Sequence, residues 1–379
     1  FQANPILTPL RAGQSLVLCT PFNEIVALDP VTGEQRWEFD SELRLGGYGS
    51  DEDPDGVNST PFIKCRGVSF WQDDTATDSA KACVNRILAA TNDLRLIALD
   101  ARTGEPCESF GEGGIADVEH HYLEKQPAWR HEARFYNPPV VAGDLMILTD
   151  SVRDNHRWNA PDGSVRAFSI RTGELVWEWS PVPRSAADPQ YRNWDEDAAR
   201  ETGGANAWGM LSVDEDRDLV FLPTSGPSPD FYGGTRPGNN DYADSIVALR
   251  ASTGEYVWHF QTIHHDVWDY DNAAQPVLVD LKKDGKAFPA VIQGTKTGML
   301  YIFHRETGEP FFAIEERPVP TDGVPGEVLS PTQPFPVKPP PLVPHDFDWD
   351  DEWWLGFGAC EKKFSDARVG PIFTPPSLE

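Results

Sequence analysis

Residues 264–271 read HHDVWDYD, which places His264, His265, Asp266, Asp269 and Asp271 within eight positions. Two imidazoles and three carboxylates at that density can supply a general base for a substrate hydroxyl, or the ligands of a metal ion. The competing reading is a hydrogen-bonded loop whose charges face water. Two further residues stand out by their place. Lys296, in QGTKTGMLYIF, lies between two strand-like runs, where a lone lysine ordinarily faces solvent. Trp208, in NAWGMLSVD, belongs to no repeat, and its ordinary role is core packing. Other chemistries lack their motifs. There is no G-x-x-x-x-G-K-[ST] phosphate loop and no G-x-S-x-G nucleophile elbow, and HEARF at 131–135 lacks the second histidine of an H-E-x-x-H zinc site.

The elements that must hold such a loop are legible from a repeat. ALDPVTGEQRW at 27–37 returns as ALDARTGEPCE, AFSIRTGELVW, ALRASTGEYVW and IFHRETGEPFF, with Thr-Gly at Thr32, Thr103, Thr172, Thr253 and Thr307. Each copy follows a β-rich run and precedes another, and glycine takes the positive φ such a turn demands. One unit of this kind cannot bury both its faces. Repeated radially, the units pack sheet on sheet, which predicts an all-β chain folded as a β-propeller. The repeats lie 54 to 81 residues apart, longer than a bare blade needs, so insertions are expected at 44–60, 109–137, 183–207 and 228–242. Trp37, Trp177 and Trp258, which close three of the copies, are assigned to packing between blades. Ten prolines between Pro318 and Pro344 predict an extended, irregular segment at 316–350, and FDWDDEWWLGFGAC after it is expected to dock back on the body.

Charge and cysteine content set outer limits. The 379 residues carry 32 Lys+Arg against 60 Asp+Glu, a formal charge of −28, which excludes a general binder of nucleic acid or of anionic membranes. Thirteen Trp, 20 Phe and 9 Tyr offset a 39% apolar share and exclude disorder over most of the chain. No run approaches the roughly 18 apolar residues of a membrane span. FQANPILTPL lacks the basic start and apolar core of a secretion signal, so the expectation is a soluble chain from which any leader or anchor is absent. Five cysteines leave at least one thiol unpaired; Cys65 and Cys83, which bracket a loop-like segment, are weighed as a pair against no pairing.

The repeat A-x-D-x-x-T-G-x-x-x-W resembles the tryptophan-docking motif of quinoprotein dehydrogenases. CRGVSF (65–70), RLIALDARTGEPCESFG (95–111), HHDVWDYDNAAQP (264–276) and IFTPPS (372–377) resemble the membrane-bound PQQ-dependent glucose/quinate/shikimate dehydrogenase family, in family order over essentially the whole chain. That family's propeller has eight blades. The resemblance therefore implies one domain, 1–379, holding about five to six blades of an incomplete ring, without the family's membrane helices and final third. It implies pyrroloquinoline quinone (PQQ) and Ca²⁺ or Mg²⁺ as cofactors. Asp269 corresponds to the family's catalytic base, with Asp266 and Asp271 in supporting roles and the two histidines ordering the loop. Lys296 matches a lysine on the quinone, Trp208 the indole that stacks beneath it, and Arg66 an arginine that would pair with a cofactor carboxylate. Asp154 and Asn155 match an Asp-Asn pair near the metal, and Ser228 a nearby hydroxyl.

Two departures qualify the match. Phe62 stands where the family's glucose enzymes carry histidine, which weighs against glucose itself as substrate, and Glu108 replaces the tryptophan of the second docking motif. The implied activity is oxidation of an alcohol, polyol or aldose hydroxyl by hydride transfer to the quinone. Electrons would pass to ubiquinone from a periplasmic site at the outer face of the inner membrane, with membrane association only through segments absent here. The alternative is a non-catalytic propeller of the same repeats that binds protein partners. A third reading is an enzyme-derived piece that is itself inactive because the ring is open.

Overall fold

All five Thr-Gly turns close identically. The glycine N–H donates to the carbonyl four residues back at 2.8–2.9 Å, and the glycine φ lies between 68° and 79°. The preceding threonine hydroxyl accepts the N–H two residues on at 3.2–3.3 Å. A side chain would strain at that φ, and the threonine fixes the exit of the turn. The first four of these turns join the last two strands of successive antiparallel sheets, and the fifth follows the last strand of another, in the computed structural model, which describes residues 3–10, 13–44, 63–78, 81–123, 132–155, 157–188, 191–347, 358–364 and 366–378.

Four sheets have four strands each, in simple meander order. The first holds β1 (Ile6–Leu7), β2 (Leu16–Cys19), β3 (Ile25–Leu28) and β4 (Gln35–Phe39). The second holds β5 (Ser69–Gln72), β6 (Asn85–Ala90), β7 (Arg95–Asp100) and β8 (Ile115–Asp117). A short ladder of β9 (Ala133–Arg134) with β12 (Ser151–Val152) flanks the third, which is β10 (Val140–Ala142), β11 (Leu145–Leu148), β13 (Val165–Ser169) and β14 (Leu175–Trp179). The fourth is β15 (Ser212–Asp214), β16 (Leu219–Pro223), β17 (Ser245–Arg250) and β18 (Tyr256–Gln261). A fifth has three strands, β19 (Val277–Lys283), β20 (Lys286–Gly294) and β21 (Leu300–His304); after its Thr-Gly turn Pro310 pairs with Phe303 only as an isolated bridge. The proline-rich segment is less irregular than its composition predicts, because β22 (Ile314–Pro318) pairs antiparallel with β23 (Thr332–Pro336). The aromatic-acidic residues 348–357 lie outside the described residues, as do Phe62 and residues 45–60 of the first insertion.

The strands alternate faces, and each face belongs to a different interface. Ile87 and Ala89 pack toward the first sheet with Val17, Ile25 and Trp37, whereas Leu88 and Ala90 pack toward the third with Met146, Leu148 and Phe168. Val220 and Leu222 join the interface of the third and fourth sheets, and Leu219 and Phe221 that of the fourth and fifth. The first strands touch one another in series, β5 to β10, β10 to β15 and β15 to β19, so they line the inside of the ring arc. The docking tryptophans span these interfaces as expected. A Cβ on Gly104, Gly254 or Gly308 would lie 2.6–2.8 Å from the rings of Trp37, Trp177 and Trp258 respectively. Trp177 and Trp258 also donate from Nε1 to the carbonyls of Ala251 and Arg305, at 3.0 and 2.8 Å.

Two disulfides replace the pairing weighed above: Cys65 joins Cys19 and Cys83 joins Cys107, with Cα–Cα distances of 5.9 and 5.7 Å. Cys19 and Cys65 meet because the second strand of one sheet and the lead-in to the next share an interface. Cys83 meets Cys107 because they flank neighbouring strands.

Candidate functional site

Meander topology decides where chemistry can gather. Within each sheet, the start of the first strand, the link from second to third strand and the exit of the fourth all lie at one end, while the Thr-Gly turns occupy the other. Arg66 precedes β5, Asn137 precedes β10, Trp208 precedes β15, and Asp269 and Asp271 precede β19. Asp154 lies between β11 and β13, Ser228 and Asp230 between β16 and β17, and Lys296 between β20 and β21. These candidate site residues therefore fall at the same end of the arc.

The HHDVWDYD loop is folded by its own first aspartate. Buried Asp266 accepts N–H bonds from Trp268 and Tyr270, both at 2.9 Å, which turns the chain tightly enough that Asp269 adopts φ 61°. Asp tolerates this left-handed conformation better than most side chains. The C-terminal IFTPPS segment braces the loop from outside: Tyr270 Oη donates to the Ile372 carbonyl and Trp268 Nε1 to that of Thr374, both at 2.8 Å. Phe373 is buried edge-on to both rings. His264 bonds Gln261 and faces Glu316, and His265 donates from Nδ1 to the Gly238 carbonyl at 2.7 Å with Nε2 toward Glu327. Both imidazoles thus order the loop.

Lys296 Nζ lies 2.6 Å from Asp269 Oδ1 and 3.0 Å from Asp271 Oδ2. Trp208 Nε1 donates to that same Asp271 oxygen at 2.8 Å. Burial opposes the charge on Lys296, but Asp271 and Asp269 outweigh it and push its pKa up to about 12. Burial raises Asp269 above the ordinary carboxylate value, with the Lys296 bond working against that rise. Lys296 Nζ and the Arg66 guanidinium carbon lie 5.7 and 5.5 Å from the Trp208 ring centroid. Two cations beside one indole plane suit a flat anionic ligand.

Arg66 is partly committed. Its Nη1 donates to the Trp208 carbonyl at 3.0 Å and to Asn137 Oδ1 at 2.9 Å, while Asn137 Nδ2 donates to the Trp208 carbonyl at 2.8 Å. The Ser228 hydroxyl is turned onto the carbonyls of Asp154 and Arg157. Burial, then the charges of Asp271 and Asp269, push Asp154 up to about 7. Burial, then Asp154, Asp269 and Asp271, push Asp230 up to about 8. Carboxylates that raise one another in this way create a potential that a cation relieves, and hard oxygen donors suit Ca²⁺ or Mg²⁺. Asp154 and Asp230 would hold such an ion. Asn155 is exposed, and among the described residues no hydrogen bond joins it to this group.

A second acidic cluster lies deeper. Asp244, Asp266 and Asp271 bring carboxylate oxygens within 4.8 Å of one another. Both oxygens of Asp266 and both of Asp271 already accept N–H donors, which commits part of this cluster to holding the loop.

Residues 2–379 match the family described as PQQ: Glucose/ethanol/alcohol dehydrogenase, beta-propeller domain. The chain belongs to this family. This PQQ propeller is 33% identical to quinoprotein glucose dehydrogenase of Escherichia coli (strain K12), over 98% of this chain and 45% of that protein. It is 32% identical to the quinate/shikimate dehydrogenase (quinone) of Acinetobacter baylyi, over 98% of this chain and 46% of that one. Its fold is that of the quinohemoprotein alcohol dehydrogenase from Comamonas testosteroni, with a TM-score of 0.64 and 24% identity over 89% of this chain and 45% of that structure. The PQQ propeller spans about half the length of the curated relatives it matches.

Sequence reasoning missed Asn137 and Asp230. Asn137 holds, ahead of the third sheet, the place that Arg66 and Trp208 hold ahead of the second and fourth, so aligning the repeats by first strand finds it. Asp230 lies two residues beyond Ser228 in PSPD, and only burial beside Asp154 sets it apart.

Proposed function

We propose that this propeller oxidises a hydroxyl of a sugar or polyol with PQQ as electron acceptor, and that residues 1–379 act as one domain. One observation carries the reading: the Trp208 indole and, 61 and 88 positions further along the chain, the Asp269 carboxylate and the Lys296 ammonium are joined in one network, in which Lys296 reaches both Asp269 and Asp271 and Trp208 reaches Asp271. When bound, PQQ would supply a two-electron acceptor for hydride, and a divalent cation would supply Lewis acidity. Asp269 accepts the hydroxyl proton as that hydride leaves, so C–H and O–H are both broken and the carbonyl forms. Lys296 keeps a fixed positive charge where electron density accumulates. Trp208 offers its face to a planar ligand, and Arg66 keeps guanidinium donors beyond Nη1 for an anionic one. Asp154 and Asp230, with the Ser228–Asp154 backbone contact to shape the loop, hold the cation.

The substrate class rests on relatives named for glucose and for quinate/shikimate. Onward transfer to ubiquinone rests on the relative named for a quinone acceptor. Two disulfides support an oxidising compartment, and a periplasmic site fits them. Among the described residues no helix is long and apolar enough to cross a membrane. The test is dye reduction by the chain loaded with PQQ and Ca²⁺, over a panel of aldoses, polyols and cyclic polyols. Asp269→Asn should lower kcat by roughly 10²- to 10⁴-fold while PQQ still binds. Undiminished turnover would remove Asp269 from the mechanism, and absence of saturable PQQ binding would favour the scaffold alternative.

A further inference from the structure

We propose that Asp271 is the positioning residue of this site: one carboxylate that fixes the plane of Trp208 and the reach of Lys296 relative to each other. Its Oδ2 accepts from Trp208 Nε1 at 2.8 Å and from Lys296 Nζ at 3.0 Å, and its Oδ1 accepts from the Gly226 N–H at 2.9 Å. Each donor comes from a different link: Trp208 ahead of the fourth sheet, Gly226 inside it, Lys296 inside the fifth. A carboxylate has about four lone-pair sites. Three are taken here, so the group is held as firmly as it holds.

Burial separates Asp271 from its neighbour. Its side chain is 8% exposed, whereas that of Asp269 is 38% exposed and so open to a ligand. Lys296 bridges the two. Asp269 is thereby placed to meet substrate and Asp271 to carry the frame. Gly226 belongs to that frame for a steric reason: a Cβ there would lie 3.0 Å from Asp266 Oδ2 and push its amide away from Asp271. The indole has a second restraint at its backbone, where Asn137 and Arg66 both donate to the Trp208 carbonyl. Among the described residues Asp271 alone accepts a hydrogen bond from the ring itself, since Nε1 is the only polar atom an indole has.

The proposal rests on the PQQ reading, and its test separates the two. With the tryptophan indoles ¹⁵N-labelled, the Trp208 signal is assigned by its loss in Trp208→Phe. In Asp271→Ala that signal should shift and exchange with solvent at least about tenfold faster while the other indoles keep theirs; Asp271→Asn, of equal volume, should show a smaller shift. This arm needs no cofactor. In calorimetry with Ca²⁺ present, Asp271→Ala should weaken PQQ binding roughly 10- to 100-fold and alter the induced circular dichroism of bound PQQ, whereas Asp269→Asn should do neither. If the wild-type chain binds no PQQ, the functional reading fails and the indole signal still decides the role of Asp271. An unmoved Trp208 signal in both variants overturns the proposal. So does a shift of every indole together with a matching loss of Tm, because that is the signature of a residue that merely stabilises the fold.

Discussion

Lys296 shares one ammonium between two carboxylates, so its removal must act on both. Asp269 serves as a base only when ionised. Its pKa already lies above the ordinary carboxylate value, because burial outweighs the Lys296 bond. Activity should therefore fall, on acidification, at a pH above that of a free carboxylate. Lys296→Gln removes the group that lowers this pKa, so the acid limb of kcat/KM should move to higher pH, and kcat itself should drop with the loss of fixed positive charge. The pH profile of the PQQ-loaded chain measures both. An acid limb that stays in place or moves down would show that the Lys296–Asp269 bond at 2.6 Å does not persist in the working enzyme.

The sheet interfaces predict a contrast at the second blade. Glu108 stands where a docking tryptophan is expected, yet it is exposed, and the approach to Gly173 is made by Ala116 and by fully buried Phe110. Phe110→Ala and Trp177→Ala should each cost about 3–5 kcal/mol, whereas Glu108→Ala should stay within about 0.5 kcal/mol. Denaturant unfolding would tell them apart, and a large loss at Glu108 would mean that the interface is closed by some other contact. Cys83–Cys107 closes a loop with a sequence separation of 24, so its reduction or removal should cost roughly 3–4 kcal/mol in the loop-closure picture, seen as a lower Tm under reductant. These elements also mark what the sequence could reveal. Turns, blade packing and the end of the arc that holds the chemistry were legible because they repeat in Thr-Gly spacing and strand order. The Cys19–Cys65 pair, Asn137 and the hub at Asp271 were not, because each depends on how one sheet sits against the next, and no local pattern encodes that.

At the scale of the whole molecule, 60 acidic against 32 basic residues make proton uptake part of folding. Burial first, and neighbouring carboxylates after it, hold Asp154 at about 7, Asp230 and Asp150 at about 8 and Asp266 at about 7. In the unfolded chain the same groups titrate near the ordinary 3.8. Between about pH 4 and pH 8 the folded state therefore binds more protons than the unfolded one, and the linkage slope is negative: stability should fall as pH rises through that window. Asp29, held near 2 by backbone N–H bonds and Arg36, is ionised in both states there and does not alter the slope. A divalent cation bound by Asp154 and Asp230 supplies positive charge where protons are lost, so it should reverse the decline at the alkaline end. Free Ca²⁺ at 100 times its Kd would add about 2.7 kcal/mol. The expected result is a cation-free Tm that drops from pH 5 to pH 8, and a rise at pH 8 with Ca²⁺ beyond that from sodium chloride of equal ionic strength, which only screens the general surface charge. Asp154→Asn should flatten the pH dependence and remove most of the calcium-specific rise. An equal rise with both salts would leave the acidic surface, and not the cluster at Asp154 and Asp230, as the source of the effect.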